Sequence, residues 1–564
     1  MHQLAALAFI RGDVDEESLF KRAADLIRTL RIESEADLEP LFDAPPPDSD
    51  PAVLKRLRQM YEAGGWVLLE SLLADVPADL RWLIESGAIT IEQAAAAHRA
   101  LDVTSSADIA AAIDDKMLRR VAGFGEPVEA AVAAALPHIR ASVPRVPLGR
   151  AVAIAAPLLE HLRSLPGVAW AEPAGSLRRG QDLVGDIEIV ASLADPADAI
   201  QHLLGLEDVS RLHRSERRVY ILTERVQVGV RFPEPPNAGA TLLYLTGSAA
   251  HVAALQAHAT AMGFRLTAAG LHTPDGLLQD APVEDDIYRA LGLPTIPPEI
   301  RNGEDEVARA SRGILPALVA RRDIRGDLHM HSTWSDGRDS IEAMVTQCRA
   351  LGYEYMAITD HSPTSAASRN LSIDGVKRQA DEIDALRERH PDIAILHGCE
   401  VDILPDGRLD FPDRVLERFD IVLASLHERA GHDRDQLMTR YVTAMQHPLV
   451  TLITHPTNRL VPYRAGYDLD YDRLFGVAVE TRTIVEVDGA PSHLDLDGAL
   501  ARRAVAAGAE LAIDSDCHRA ELLDVQMQLG IMTARRGWVE PRHVVNTRPL
   551  ADVRAAIARK RAGR

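Results

Sequence analysis

Between residues 323 and 530, histidines and carboxylates recur at the ends of short apolar runs. The run DIRGDLHMH closes on His329 and His331, and on a strand side chains at i and i+2 share a face, so these two imidazoles converge. Asp336 follows in a loop, YMAITDH ends on Asp360 and His361, IAILHGCE on Glu400, DIVLASLH on His427 and LVTLITH on His455. The run ELAIDSD leads into Asp516, Cys517 and His518. Imidazole and carboxylate are ligands that zinc, manganese and iron prefer, and His329, His331, Asp336, His361, Glu400, His427, His455, Asp516 and His518 exceed what one ion needs. Two or three divalent ions, zinc or manganese, are implied. Cys517 alternates to the opposite face and reads as core. Asp327 and Asp360 read either as acceptors for ligand imidazole N–H groups or as N-caps. A second constellation lies upstream in GSLRRGQDLVGDIEIVAS, where Ser176 and Arg179 precede Asp186 and Glu188. Two acids at i and i+2 can hold metal ions, magnesium in such a setting, against a triphosphate that Gly-Ser and Arg bind.

The elements that must position these groups differ along the chain. Beyond residue 323, strand-like runs, to which TIVEVD adds a seventh, alternate with amphipathic stretches such as SIEAMVTQCRALG and VKRQADEIDALRERH. Such alternation implies βα units closing into a barrel with chemistry at the C-terminal strand ends. Residues 165 to 295 mix short strands (VGDIEIVAS, RVYILTE, VQVGVRF) with helices. Residues 1 to 140 read as helices (DEESLFKRAADLIRTLRI, DPAVLKRLRQMYEAGGWVLLESLL, EPVEAAVAAALPHIRASV) interrupted by the loop DAPPPDSDP. The 564 residues suffice for several domains, and no apolar run is long enough to span a membrane. Three cysteines cannot build a disulfide framework, and the N-terminus lacks a signal-peptide pattern, so a cytoplasmic location is expected. The net charge of -21 argues against a wholly basic nucleic-acid binder, although a local basic face can coexist with it.

The motifs DLHMHSTWSDG, ITDHS, GCEVDI, SLH, THP and SDCH resemble the PHP (polymerase and histidinol phosphatase) superfamily. The resemblance implies a distorted (βα)7 barrel whose ions hydrolyse phosphoesters with water and no protein nucleophile. One ion would take His329, His331, Glu400 and Asp516. Glu400 would bridge to a second held by His427 and His455, and a third would take Asp336, His361 and His518. The upstream segments GSLRRGQDLVGDIEIVAS, VQVGVRF, YLTGSAAHV, AAGLH and IYRALGLPTIPPEIR, with ARRGWVEPRHVVNT late in the chain, resemble family X DNA polymerases. That likeness implies nucleotide contacts from Ser176, Arg179, Gly247 and Ser248, and DNA contacts from the turn VAGFGEPVE through Gly123 and Gly125. DAPPPDSDP and ESGAITIEQ lack the paired glycines of the corresponding family turns, and Lys21 and Lys55 do not carry a lyase assignment.

The third acid of the polymerase family aligns with Gly229, and its same-face neighbours Gln227 and Arg231 cannot replace a carboxylate. Loss of one acid and lengthening of another to Glu188 predict at least about 10²–10⁴-fold slower polymerisation, with partial recovery in Gly229→Asp combined with Glu188→Asp. The chain is thus expected to be multidomain. A helical region of degenerate DNA-binding turns (1–140) precedes an α+β nucleotidyltransferase-like palm and thumb (141–298), a linker (299–323) and the PHP barrel (324–564). The expected function is metal-dependent DNA hydrolysis, a 3′-5′ exonuclease of DNA repair with an impaired polymerase and weak DNA binding by the upstream half. Alternatives are an active gap-filling polymerase and a small-molecule phosphatase of the histidinol-phosphate kind. No membrane partner is expected, and oligomeric state is not legible.

Overall fold

The computed structural model describes residues 1–564 except 33–36, 48, 64, 143, 144, 366 and 564. Asp48 of the expected loop, and Gly64 and Val143 of two expected helical stretches, therefore lie outside the described residues. The chain divides into two compact units. One comprises Met1–Arg145, Ala153–Leu177 and Gly185–Thr295, the other Val146–Val152, Arg178–Val184 and Ile296–Arg564.

In the first unit, residues up to 142 form helices and, among the described residues, no strand precedes Val146. Side-chain caps fix several helix starts. Asp13 accepts from the Glu16 amide at the start of Val14–Leu30, and Thr90 with Gln93 and Ser105 with Asp108 make capping boxes for Ile91–Leu101 and Ser106–Asp114. Leu7, Ile10, Phe20, Leu80, Leu83 and Ala94 meet in one buried core. The following α+β part is a five-stranded sheet of β1 (Trp170–Pro173), β2 (Ile187–Ser192), β3 (Ser210–Arg214), β4 (Arg218–Thr223) and β5 (Val226–Arg231). Its order is β1-β2-β5-β4-β3, with only β2 and β5 parallel. The helical and α+β parts pack as one body: the His213 ring on β3 hydrogen-bonds the Ile10 carbonyl, and at Gly12 (φ +71°) the backbone passes so close to Arg214 that no Cβ fits.

The second unit contains seven parallel strands in sequence order: β6 (Gly326–Asp327), β7 (Tyr355–Ile358), β8 (Ala394–Asp402), β9 (Ile421–Ser425), β10 (Leu452–Ile453), β11 (Ile484–Asp488) and β12 (Leu511–Asp514). A parallel bridge between Met330 and Cys517 joins the first strand's extension to the last, so the sheet closes into the expected barrel. Its interior holds Leu328, Tyr355, Ala357, Leu423, Leu452 and Ala512, while a larger core lies between sheet and helices. Residues 299–323, read from composition as a linker, belong to this unit. Glu299 pairs with Arg535 at 2.7 Å, Arg301 is fully buried and donates to the Ile296 carbonyl, and the Val319 amide donates to the Val539 carbonyl.

Candidate metal centre and palm site

All nine expected ligands lie at the C-terminal end of the barrel, on strand ends or just beyond them. They form three overlapping groups whose ligating atoms lie within 4.8 Å of one another: His329, His331 and Asp516; His361, Glu400 and His427; and His331, Asp336, His361 and His518. His455 joins through Glu400, 2.9 Å from its Nε2. Glu400 is the hub, fully buried, with His427 Nε2 at 3.3 Å and His361 Nδ1 at 2.9 Å.

The contacts themselves test whether cations fit. His329 and His331 bring their Nε2 atoms to 3.1 Å, while His329 Nδ1 is already engaged by Glu486 at 2.7 Å. Two imidazole nitrogens so placed need a proton or a cation between them. His361 Nδ1 and Glu400 Oε2 lie close without hydrogen-bond geometry, and both, with His331 Nδ1 and His455 Nδ1, are buried atoms lacking a hydrogen-bond partner. Orphaned lone pairs at a centre of imidazoles and carboxylates suit divalent ions. The electrostatics agree. Burial opposes charge on His427 and His518, yet Glu400 and Asp402, and Asp336 and Asp516 respectively, raise them to about 10 and about 9. Burial likewise opposes ionisation of Glu400, but His361, His427 and His329 hold it well below the usual carboxylate range.

Two of the expected ligands carry backbone strain. His455 and Asp516 have φ of +23° and +49°, conformations that cost a non-glycine residue about 1–3 kcal/mol and persist only where the surroundings impose them. For His455 the anchor is Glu486 Oε2, which accepts its amide at 2.6 Å. Glu486 therefore holds two expected ligands at once, and Asp402 holds a third by accepting from His427 Nδ1 at 2.9 Å. Neither was singled out from sequence. Asp327 and Asp360 do not hold ligand rings. Asp327 accepts the backbone amides of His329 and Ser515, and Asp360 accepts from Ser332 and Ser335 in the loop after His331 and from Gln379 on helix Ile373–Arg389. Cys517 is buried core as expected, its thiol pushed up to about 12 by burial.

The palm residues are arranged differently. Asp186 is half-buried just before β2, and Glu188 on β2 is 8% exposed. Glu188 is consumed by internal partners: the Tyr220 hydroxyl donates to Oε1 at 2.9 Å and Arg231 Nε to Oε2 at 3.0 Å. Gly229 lies between them in register, opposite Glu188 on one side and Tyr220 on the other. The absent side chain is what lets the tyrosine ring reach the glutamate. Arg231 also binds Asp108 and donates to Ser105 Oγ at 2.9 Å, while Arg218 binds Asp108 and Thr104. Gln227, on the same face of β5, accepts the Ala78 amide at 2.8 Å. The β5 face that presents Gln227, Gly229 and Arg231 is thus covered by the chain's own helical region and Tyr220. Burial raises the Asp108 carboxyl, but Arg218 and Arg231 outweigh it and hold the group far below the usual range.

The remaining expected residues are scattered. Ser176 lies in the first unit, its hydroxyl accepting the Gly185 amide at 3.3 Å, whereas Arg179 belongs to the second, its guanidinium pushed down to about 10 by burial and by Arg301 and Arg536. Gly247 (φ +29°) ends helix Ala238–Thr246, and Ser248 caps Ala249–Ala261 by accepting from the His251 amide. Gly123 and Gly125 adopt φ of +87° and +67° at the turn before helix Gly125–Ser142, where the Gly123 carbonyl accepts from Gln93.

Fold and site together define a PHP-type barrel following a polymerase-type thumb: a model described as PHP domain matches residues 327–458, and one described as DNA polymerase beta thumb matches residues 241–302. The DNA polymerase/3′-5′ exonuclease PolX of Bacillus subtilis (strain 168) is 36% identical over 508 residues, 89% of each chain. The chain belongs to this family of bacterial family X polymerases carrying a PHP domain. A protein named probable phosphatase of Thermoanaerobacter sp. (strain X514) is 27% identical over 204 residues, 34% of this chain and 78% of its own. Among solved structures, the histidinol phosphate phosphatase of Lactococcus lactis, complexed with zinc, L-histidinol and phosphate, aligns over 38% of this chain and 95% of its own, with 18% identity and a TM-score of 0.31. No helix among the described residues is long and apolar enough to cross a membrane.

Proposed function

We propose that the barrel is a divalent-metal phosphoesterase that shortens DNA from its 3′ end, and that the palm keeps its fold while its polymerase chemistry is lost or severely weakened. The observation that carries the first part is the convergence of nine imidazoles and carboxylates with buried, unpartnered lone pairs. His329, His331, Glu400 and Asp516 would hold one ion, Glu400, His427 and His455 a second, and Asp336, His361 and His518 a third. Bound there, divalent cations supply Lewis acidity toward a phosphoryl group and a hydrolytic nucleophile from water near neutral pH. The chain's own contribution is to fix the ligands. Glu486 and Asp402 set the tautomers of His329 and His427.

The second part rests on Glu188. An acid already satisfied by Tyr220 and Arg231 is poorly placed to ligate ions, and no neighbouring carboxylate stands at 229. The relatives matched over the barrel alone favour phosphoester hydrolysis as the shared chemistry, and the PolX relative favours DNA as the substrate. The deciding experiment incubates manganese- or zinc-loaded protein with 5′-labelled single-stranded and gapped DNA, with and without nucleotides. Stepwise shortening from the 3′ end without primer extension is expected. Robust extension, or hydrolysis of small phosphate monoesters but never of DNA, would refute the assignment.

A further inference from the structure

The loop that follows His455 is built unlike the others around the centre. Asn458 Nδ2 donates to the carbonyls of Leu426 and His427, pinning the loop against the backbone of an expected ligand. Leu460 and Arg464 exchange backbone hydrogen bonds, closing a small hairpin, and the Val461 amide donates to the Ser492 carbonyl. Arg464 folds back to donate to Asn458 at its carbonyl and its Oδ1, and Arg459 binds the His493 carbonyl and Asp182. This base is heavily cross-braced, yet its tip presents Tyr463, the most exposed large hydrophobic side chain among the described residues at 88%. A braced hairpin that holds an aromatic ring in water gains nothing for the fold from that ring, whose burial elsewhere is the usual source of its stabilisation. The hairpin also walls a cavity of about 450 Å³ shared with Tyr467 and Tyr471, within the size range of ligand pockets. Exposed arginines accompany it. Arg429 lies two residues after His427 on the neighbouring loop, and Arg464 lies beside Tyr463 on the hairpin itself.

We infer that the 457–467 hairpin is a platform for a single-stranded nucleic-acid end, with Tyr463 stacking on a nucleobase while Arg429 and Arg464 face the backbone phosphates. Aromatic stacking tolerates any base, and arginine supplies the accompanying charge, which is how sequence-independent single-strand sites are built. The inference rests on the exonuclease reading and assigns this hairpin a part in holding the strand.

The test uses the full, manganese-loaded chain and three probes: a 5′-labelled single-stranded oligodeoxynucleotide, the same oligonucleotide with abasic residues in its last three positions, and bis-p-nitrophenyl phosphate. For Tyr463→Ala the ratio of kcat/KM on the normal oligonucleotide to that on the small diester should fall about 5- to 100-fold, mainly through KM, the loss expected for one stacked base. Tyr463→Phe should retain the wild-type ratio. The abasic oligonucleotide should be a poor substrate for wild type and no poorer for Tyr463→Ala, a pattern that simple destabilisation does not produce. A ratio within 2-fold of wild type in Tyr463→Ala, or an equal loss on normal and abasic strands, overturns the stacking role alone. Failure of wild type to cleave any oligonucleotide while it hydrolyses the diester overturns the exonuclease reading and the inference with it.

Discussion

Placing a carboxylate at position 229 asks whether the palm merely lacks an acid or has been rebuilt around its absence. From sequence, Gly229→Asp with Glu188→Asp is a plausible restoration. The structure predicts failure. A Cβ at 229 would lie 2.7 Å from both Glu188 Cδ and Tyr220 Cε1, closer than real Cβ contacts fall. The backbone cannot withdraw, because β5 is hydrogen-bonded on both sides, to β2 and β4. Overpacking of this kind costs about 1–3 kcal/mol. A second carboxylate about 4 Å from Glu188 adds repulsion of up to about 4 kcal/mol at an effective dielectric constant of about 20, part of which Arg231 offsets. The sum is on the order of 3–5 kcal/mol, a fall of about 5–9 °C in the unfolding midpoint of a body this size. Shortening Glu188 relieves one clash and leaves the one with Tyr220. The assay is thermal unfolding followed by circular dichroism, beside primer extension on gapped DNA with manganese. A midpoint within about 2 °C of wild type, or extension by either the single or the double variant, would refute the argument.

Four further outcomes are expected. His331→Ala or Asp516→Ala should reduce DNA hydrolysis by at least about 10³-fold while Asp186→Ala leaves it nearly intact, as measured with labelled DNA; the reverse pattern would place hydrolysis in the palm. Glu486→Gln or Asp402→Asn should weaken metal retention about 10- to 100-fold in competition with a chelator, with the fold preserved. Arg231→Ala leaves Asp108 and Glu188 buried without their shared cation and should destabilise by about 3–5 kcal/mol in denaturant titrations. Because the Asp108 carboxyl is depressed in the folded chain, its contribution is fully present above the unfolded value near pH 4 and is lost as pH falls further, so the gap between wild type and Arg231→Ala should narrow in acid.

The barrel was legible because strand period and ligand placement coincide: each apolar run ends where its histidine or acid must emerge, and all seven runs became strands. What escaped was whatever depends on register between distant segments. Glu486 sits inside a run that reads as a core strand and Asp402 lies two residues past the end of another, and only the order of strands around the barrel brings them to His329 and His427. The segment 299–323 looks like a linker because it is rich in charge and follows closely on Pro294, Pro297 and Pro298, and nothing local announces that Arg535 and Val539, over 200 residues on, will hold it. The palm offered a clue that goes unused when Gly229 is read in isolation. A tight turn at Glu224 and Arg225, both at positive φ, sets Tyr220 opposite Gly229, so the vacancy and its occupant lie on one hairpin.

The Tyr220, Glu188 and Arg231 arrangement also bears on ancestry. A palm with three acids differs from this one at several contacts that depend on each other, and every single reversal meets an obstacle. An aspartate at 229 meets the tyrosine ring, removal of Tyr220 takes one of the two donors of Glu188, and removal of Arg231 takes the cation that Glu188 shares with Asp108. Each such single change would be less stable than the present chain, and selection would act against it before any catalytic benefit arose. With the helical region covering this face, such an arrangement would act as an evolutionary ratchet. Descendants of the chain can be expected to keep residues 108, 220 and 231 together.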